Sequence, residues 1–348
     1  MSRNFFINKK LIKNNHKTYI IAEIAQAHEG SLGIALSLID KAAESGADAV
    51  KFQCHIAREE STLDEKFRVK QSVQDESRYK YWERMEFNVN EWIQLIDRAK
   101  SKNLEFICSV FSIKAIKLLE PLGIDAWKIG SGEFWSNELI EELTKTNLPI
   151  LVSTGMSSWL EIDEMYIRLN ESNVDFMLMH CCSKYPTPLK DVGLNIIKEM
   201  ISKYSCPIGF SDHSANPIVS KLAISYGISI LEVHVTFSRS LYGPDSSSSL
   251  TFDELKNLSK DNQDIHFLLN NNVNKNEISS KLNETKKMFS KSATLIENKK
   301  KGDIILKKDL TFKKPGTGIK KEDINQILGR KLKYDKSYKK LLKLDDFQ

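Results

Sequence analysis

The sequence predicts a (β/α)8 barrel followed by a small C-terminal domain. Eight short, β-rich apolar runs recur along the chain, each followed by a longer segment with helical periodicity. Unusual polar residues stand at the downstream ends of these runs. A chain of 348 residues is too long for one average domain and suits one large barrel with an appendage. Its 41% hydrophobic content supplies a sizeable core.

The strand candidates alternate with helix candidates, which is the pattern of parallel βα units. We expect strands at residues 19–25, 49–53, 105–111, 126–130, 149–154, 176–182, 207–212 and 228–236. Helices are expected between them, at 31–44, 89–102, 113–121, 136–146 and 159–172. Eight units favour a closed barrel over an open doubly wound sheet.

The barrel is expected to end after its eighth helix. Thr251 and Glu254 form a capping-box pattern in front of an amphipathic run that reaches Leu269. Residues 270–276 are rich in asparagine, as in a linker, and turn signals at 301–303 and 315–318 separate short apolar runs. We therefore predict a barrel domain at 1–270, a linker at 271–290 and a small, mostly β or irregular domain at 291–348.

Composition excludes several classes of protein. The net charge of +5 is modest, and many of the lysines follow residue 281 without any nucleic-acid motif, so no nucleic-acid partner is expected. No apolar run suits a signal peptide or a membrane span, so we expect a cytoplasmic protein. Five cysteines without C-x-x-C spacing indicate reduced thiols, neither a disulfide framework nor a zinc knuckle.

Candidate functional residues lie where the predicted strands end. All the carboxyl ends of parallel barrel strands share one face, which is where enzymes of this fold place their active sites. Residues scattered along the chain would therefore meet in one pocket. In chain order they are Glu23, Gln26, His28, Lys51, Gln53, Ser109, Lys128, Ser131, Glu133, Ser153, Thr154, Ser183, Lys184, Tyr185, Ser211, Asp212, His213, Glu232, His234 and Thr236.

Two of the histidines suggest a metal site. His213 and His234 end adjacent strands and have acids beside them, at Asp212 and Glu232. Two imidazoles without a cysteine suit an open site for Mn2+, Mg2+ or a similar ion that water and substrate oxygens complete. His180 lies inside an apolar run, and we interpret it as a packed core residue.

Two lysines in apolar strands need anionic partners, because an unpaired buried charge is costly. Lys51 and Lys128 could bind an anionic substrate, helped by hydroxyl donors from Ser109, Ser131, Ser153 and Ser211. In the alternative interpretation, the lysines pair with Glu23 and Glu133 inside the protein.

Seven sequence segments follow one another along the chain: IAEIAQAHEGSLGIA, GADAVKFQ, AWKIGSGE, LVSTGMS, HCCSKYPTP, IGFSDHS and EVHVTFSRSLYGPD. Together they resemble the sialic acid synthase (NeuB-like) family over about the whole barrel. KKGDIILKKDL and KKPGTGI in the tail are similar to the small antifreeze-like (SAF, β-clip) domain of that family. The resemblance implies condensation of phosphoenolpyruvate with an N-acyl hexosamine, giving a nine-carbon 2-keto sugar acid and phosphate.

The resemblance also implies roles for individual residues. It puts a divalent metal, most often Mn2+ with Mg2+ or Co2+ as options, on His213 and His234. It places phosphoenolpyruvate against Lys51, Ser109, Lys128, Ser131, Ser153, Ser183 and Ser211. It turns Glu23, Gln53, Glu133, Tyr185 and Asp245 toward the sugar or the attacking water. We expect Glu23 to activate that water, with Glu232 as the reserve.

The tail is expected to serve a partner subunit in a domain-swapped homodimer. The arginine of the family's K-R-P-G motif is Lys314 here, which keeps the charge but loses the planar fork. Other departures are Ala27-His28-Glu29-Gly30 for N-H-N-G, Ser109 for a threonine and Ser183 for an asparagine. Two alternatives stay open: a related synthase acting on a phosphorylated sugar, and a non-catalytic barrel that binds sugar acids.

Overall fold

The fold is given by a computed structural model that describes residues 5–67 and 74–348. The predicted barrel domain at 1–270 includes residues 1–4 and 68–73, which lie outside the described residues. Two compact units are present, Met1–Asn270 and Asn271–Gln348.

A short hairpin precedes the barrel. Its strands β1 (Phe5–Ile7) and β2 (Lys10–Ile12) pair in antiparallel fashion. Phe5, Ile7 and Ile12 are buried and pack with apolar barrel residues such as Ile21 and Met177. The hairpin therefore contributes to the apolar core inside the barrel, a contribution that the sequence pattern did not predict.

Eight parallel strands form the barrel, and all eight overlap the predicted runs. They are β3 (Tyr19–Glu23), β4 (Ala49–Cys54), β5 (Glu105–Val110), β6 (Ala126–Ile129), β7 (Ile150–Ser153), β8 (Phe176–Cys181), β9 (Ile208–Asp212) and β10 (Ile230–Thr236). Each pairs with the next, and β10 also pairs with β3, from Ile230 opposite Tyr19 to His234 opposite Glu23. The sheet is closed, so the predicted (β/α)8 barrel is confirmed.

Helices connect the strands on the outside. They are α1 (Leu32–Glu44), α2 (Ala57–Glu60), α3 (Arg78–Met85), α4 (Val89–Ser101), α5 (Ile113–Leu119), α6 (Asn137–Lys145), α7 (Trp159–Glu171), α8 (Leu194–Lys203), α9 (Pro217–Ser225) and α10 (Phe252–Asn270). A two-residue strand, β11 (Leu250–Thr251), pairs in parallel with the carboxyl end of β10, and α10 follows it directly. The short helices α2 and α3 belong to an insertion between β4 and α4.

The predicted start of the eighth helix is confirmed. The Thr251 backbone N–H donates to Glu254 Oε2 at 2.9 Å, and the Glu254 N–H donates to Thr251 Oγ1 at 3.4 Å. This reciprocal pair satisfies backbone donors that a helix end leaves open. Within the described part of the chain, no helix combines the length and apolar character needed to cross a bilayer.

The second unit is small and has few regular elements. It begins with α11 (Lys275–Lys281) and α12 (Asn283–Phe289), so most of the predicted linker at 271–290 is helical. The strands β12 (Ser292–Leu295) and β13 (Leu310–Lys313) then pair in antiparallel fashion. Its own apolar core comprises Ala293, Leu295, Ile305, Ile319, Ile327, Leu332, Leu342 and Phe347.

Candidate active site

The two-residue period of the strands separates an apolar layer from a polar layer inside the barrel. Successive strand side chains point to opposite faces, so residues two apart share a face. Ile21, Ala49, Ile107, Ala126, Leu151 and Ile230 form one apolar cluster. Two residues further along the same strands come Glu23, Lys51, Ser109, Lys128, Ser153 and Glu232, all buried. The polar residues therefore sit one layer closer to the carboxyl ends of the strands.

Glu232 lies at the centre of a buried charge network. Its two carboxylate oxygens each accept a hydrogen bond of 2.9 Å from Lys128 Nζ. Ser211 Oγ donates to Oε1 at 2.9 Å, and Lys51 Nζ lies 3.4 Å from the same oxygen. Lys51 Nζ is 2.6 Å from Glu23 Oε2, so two lysines and two glutamates compensate one another.

This network revises how the lysines are paired. The sequence favoured an anionic substrate as the partner of both, but each has a carboxylate inside the protein. The alternative pairing predicted Glu23 and Glu133 as the partners. It is right for Lys51 with Glu23, and wrong for Lys128, whose carboxylate partner is Glu232.

Burial and pairing set the protonation states of the network. Burial alone would raise the pKa of Glu232, but Lys128 and Lys51 hold that pKa well below its usual range. Burial lowers the pKa of Lys128, an effect that Glu232 opposes. Burial would also lower the pKa of Lys51, yet Glu23 and Glu232 together raise it. Glu232 is therefore ionised near neutral pH.

The two predicted metal histidines lie side by side. Their ring centroids are 5.3 Å apart, and both side chains line the same cavity. His213 Nδ1 lies 2.8 Å from the carbonyl oxygen of Cys182 and must donate to it, which leaves the Nε2 lone pair available. Burial, reinforced by His234, lowers the pKa of His213 to about 3, so its ring is neutral.

These two imidazoles suit an open metal site, in which water or substrate oxygens would complete the coordination. Among residues 5–67 and 74–348, no cluster of three or more histidine, cysteine or acidic side chains could hold an ion. Ser211 has one proton and donates it to Glu232, so it does not occupy the His213 Nε2 lone pair at 3.1 Å. In the described structure the Tyr185 hydroxyl, 3.2 Å from this nitrogen, can donate to its lone pair, and a bound ion would take the place of that hydrogen bond.

The cavity at this end of the barrel measures about 560 Å³ and gathers most of the predicted site. The predicted residues that line it are Gln26, Lys51, Gln53, Ser109, Lys128, Ser131, Glu133, Ser153, Ser183, Tyr185, Ser211, His213, Glu232, His234 and Asp245. Glu23 is absent from this lining: its fully buried carboxylate accepts from Gln53 Nε2 at 2.9 Å and pairs with Lys51.

Comparison with known proteins identifies the family. The profile of the NeuB family matches residues 38–274, more than half of the chain. This chain belongs to the NeuB family.

Named relatives cover nearly the whole chain. The N,N'-diacetyllegionaminic acid synthase of Campylobacter jejuni is 32% identical over 320 residues, 90% of this chain and 95% of that protein. The pseudaminic acid synthase of the same organism is 28% identical over 337 residues, 95% and 97% of the two chains. The crystal structure of the Leptospira borgpetersenii N-acetylneuraminic acid synthetase in complex with citrate aligns with a TM-score of 0.71 at 29% identity. It covers 82% of this chain and 97% of that one.

One wall of the cavity in this NeuB-family protein was missed from the sequence. It is built mainly by the insertion between β4 and α4, and its lining residues are His55, Glu60, Glu65, Phe67, Arg78, Tyr81 and Trp82. Glu29 and Tyr242 also line the cavity. The length of the β4–α4 connection was the available signal, because long connections in compact domains are often functional.

Three further sequence interpretations concern residues outside this cavity. His180 is buried, and its Nε2 lies 2.8 Å from the carbonyl oxygen of Val192, so it is a packed residue with a backbone partner. His28 is buried against Phe87, with ring centroids 4.6 Å apart, and its Nδ1 accepts from the Gly30 N–H. Lys314 belongs to the second unit, where its Nζ lies 4.9 Å from the Phe289 ring centroid. Its action on a sugar stays a prediction.

Proposed function

We propose that this chain condenses phosphoenolpyruvate with an N-acylated amino sugar in its open aldehyde form. The products are a nine-carbon 2-keto acid and free phosphate. One observation carries the proposal: buried lysines, serine hydroxyls and the two imidazoles of His213 and His234 meet in a single cavity at the carboxyl ends of the barrel strands. The family and the names of the relatives support the same chemistry.

The charge of the cavity supports a bound divalent cation. Its described lining holds six acids (Glu29, Glu60, Glu65, Glu133, Glu232 and Asp245) against three cations (Lys51, Lys128 and Arg78). Phosphoenolpyruvate brings further negative charge, so an added cation is needed for balance. His213 and His234 would hold Mn2+ or a similar ion, which supplies Lewis-acid polarisation of the sugar aldehyde.

The protein's own groups bind and orient the reactants. Ser131, Ser153 and Ser183 line the cavity and can donate hydroxyl hydrogens to phosphate or carboxylate oxygens. Lys51 and Lys128 supply positive charge beneath them, while Glu232 keeps both ammonium groups in place. We infer that phosphoenolpyruvate binds over Lys51 and Lys128, which form the floor of the cavity. The sugar would then lie toward the wall formed by the insertion between β4 and α4.

Glu133 is better placed than Glu23 or Glu232 to take a proton from the attacking water. It lines the cavity, and its Oε2 accepts from the Ser136 hydroxyl at 2.5 Å. Glu23 is screened from the cavity by its pairing with Lys51 and Gln53, and two lysines make Glu232 a weak base. We therefore assign the water-activating role to Glu133 and charge-balancing roles to the other two.

The deciding experiment measures phosphate release from phosphoenolpyruvate with Mn2+ and a panel of aldoses. The panel contains N-acetylmannosamine and 2,4-diacetamido-2,4,6-trideoxyhexoses, and mass spectrometry identifies the product. We expect a nine-carbon 2-keto acid with at least one aldose, and no release without sugar. Phosphate release that does not depend on any aldose, or binding of sugar acids without turnover, would reject the synthase assignment.

We also propose that the second unit completes a partner's site in a homodimer. Its apolar core is small and its surface carries Lys314, which the family resemblance directs toward a neighbouring sugar site. Mixing Lys314→Ala with His213→Ala subunits tests this, because a trans arrangement rebuilds one intact site in a hybrid dimer. Recovery of activity after confirmed subunit exchange is expected, and no recovery would place Lys314 in cis or outside the site.

A further inference from the structure

Three buried polar atoms on the wall of the cavity lack a hydrogen-bond partner within the described structure. They are Glu29 Oε1, Glu60 Oε2 and Tyr81 Oη, and all three residues line the cavity. Nearly all buried polar atoms in native proteins are hydrogen-bonded, so each exception calls for an explanation. A ligand that supplies hydrogen-bond donors would explain all three. We call these residues the acceptor wall.

Glu29 and Tyr81 are fixed by a shared arginine. Arg84 Nη2 donates to Glu29 Oε2 at 3.0 Å, and Arg84 also pairs with Asp75 at 2.8 Å. The same guanidinium lies 5.2 Å from the Tyr81 ring centroid. One carboxylate oxygen of Glu29 is therefore occupied by the protein, and the other, Oε1, is left for an additional donor.

Glu60 is fixed in a similar way by an imidazole. Its Oε1 lies 2.6 Å from His55 Nδ1, and the His55 ring is held between Trp82 and Phe111, with centroid distances of 3.9 and 4.4 Å. Gln26 Nε2 lies 2.9 Å from the other ring nitrogen. This packing orients the carboxylate, and its Oε2 is the atom without a partner.

The chemistry of the acceptor wall selects its ligand. An ionised carboxylate only accepts hydrogen bonds, whereas the Tyr81 hydroxyl can both donate and accept. Hydroxyl and amide N–H groups of an acylated sugar meet these requirements. A phosphate group offers acceptor oxygens and negative charge. It would face Glu29, Glu60 and Asp245, while the one lining arginine of the described wall, Arg78, already pairs with Glu65 at 3.2 Å.

We propose that the acceptor wall binds hydroxyl and amide N–H groups at the end of the sugar remote from the aldehyde. It thereby selects aldoses that carry no phosphate at that end. This inference rests on the proposed function, which places phosphoenolpyruvate over Lys51 and Lys128 and the reacting aldehyde near the paired imidazoles. The wall arises from different parts of the chain: the connection after β3 and the insertion after β4.

Steady-state kinetics of single substitutions test the wall. Tyr81→Phe removes only the hydroxyl and keeps the ring over Arg84, while Glu29→Gln and Glu60→Gln remove charge with little change of shape. We expect each to raise the KM for the aldose by about 10-fold to 100-fold, since each removes or weakens one hydrogen bond to substrate. The KM for phosphoenolpyruvate should change by less than about twofold. Tyr166→Phe, outside the cavity, is the matched control.

A phosphorylated aldose gives an independent readout. Wild-type enzyme should use the phosphorylated form of its aldose at least about 10-fold less efficiently in kcat/KM, and Glu29→Gln should narrow that ratio. Preference of the wild type for the phosphorylated form would overturn the inference while leaving the condensation itself intact. Unchanged aldose KM in all three variants, or an equal rise in both KM values, would also overturn it.

Failure of the proposed function is recognised separately. If no aldose in the panel supports turnover by the wild type, the acceptor wall is tested by binding alone. Isothermal titration calorimetry then compares the affinity of the N-acylated aldoses for the wild type and for Tyr81→Phe. Binding to the wild type that weakens at least about 10-fold in Tyr81→Phe supports the wall without catalysis. Equal binding, or none, rejects it.

Discussion

Glu232→Gln should destabilise the barrel more than any other conservative change in the charge network. The substitution takes the only described carboxylate within ion-pair distance away from Lys128, a lysine with 2% of its surface exposed. Breaking a buried pair in this way costs about 3–5 kcal/mol. Lys128→Met should cost less, about 1–3 kcal/mol, because Glu232 keeps the Ser211 hydrogen bond and Lys51.

The double variant Lys128→Met/Glu232→Gln isolates the interaction. It removes both charges while Lys51 keeps Glu23 at 2.6 Å, so its cost should fall below the sum of the single costs by about 2 kcal/mol. As a matched control, the exposed pair Lys145 with Glu142 at 2.7 Å should show a coupling of less than about 1 kcal/mol.

The assay is urea unfolding of the full chain, followed by tryptophan fluorescence. All five tryptophans, Trp82, Trp92, Trp127, Trp135 and Trp159, lie in the first unit, so the signal reports the barrel alone. Additive effects of the two substitutions, or a loss below about 1 kcal/mol for Glu232→Gln, would refute the pairing as the source of stability.

Three other predictions follow from single residues. His213→Gln and His234→Gln should each abolish stoichiometric Mn2+ binding in equilibrium dialysis, while the circular dichroism spectrum stays unchanged. Undiminished Mn2+ binding by both variants would show that the metal ligands are other residues. Burial lowers the pKa of His28 from 6.5 to about 3, so the unfolded state takes up its proton first as pH falls. Wild-type stability should then drop by up to about 1.4 kcal/mol per pH unit between these values, and urea titrations should show a shallower drop in His28→Gln. A Cβ on Gly155 would lie 2.5 Å from Cys181 Sγ, so Gly155→Ala should lower stability by about 1–3 kcal/mol in thermal unfolding. Gly132→Ala, which meets no atom within 4 Å, should not.

The barrel and most of the site floor were predictable because both follow from local patterns. Lys51, Lys128 and Ser211 lie toward the downstream ends of their predicted strands, and in a closed parallel barrel those ends share one face. The partner of Lys128 was not predictable in this way. Glu232 is 104 positions away, and the pairing depends on which inward side chains meet across a closed sheet.

The cavity wall built by the insertion between β4 and α4, and the helices at the start of the second unit, were not predicted from the sequence, for a different reason. Residues such as His55 and Tyr81 belong to short segments whose composition is mixed, and short helices gain their stability from packing rather than from sequence preference. The asparagine-rich stretch suggested a linker, yet α11 begins directly after Asn274, which caps it by accepting from the Asn276 N–H. This side-chain cap marks the start of a helix that the composition of the stretch did not indicate.

The closure of β10 onto β3 also has consequences for how a ribosome delivers this protein. Lys128 leaves the ribosome long before Glu232, so a growing chain lacks the native carboxylate partner of this lysine until β10 has been synthesised. We therefore expect the charge network of the candidate site to form only after β10 has joined the sheet. Chains released before β10 would expose two open sheet edges, which makes them recognisable to chaperones and proteases as unfinished.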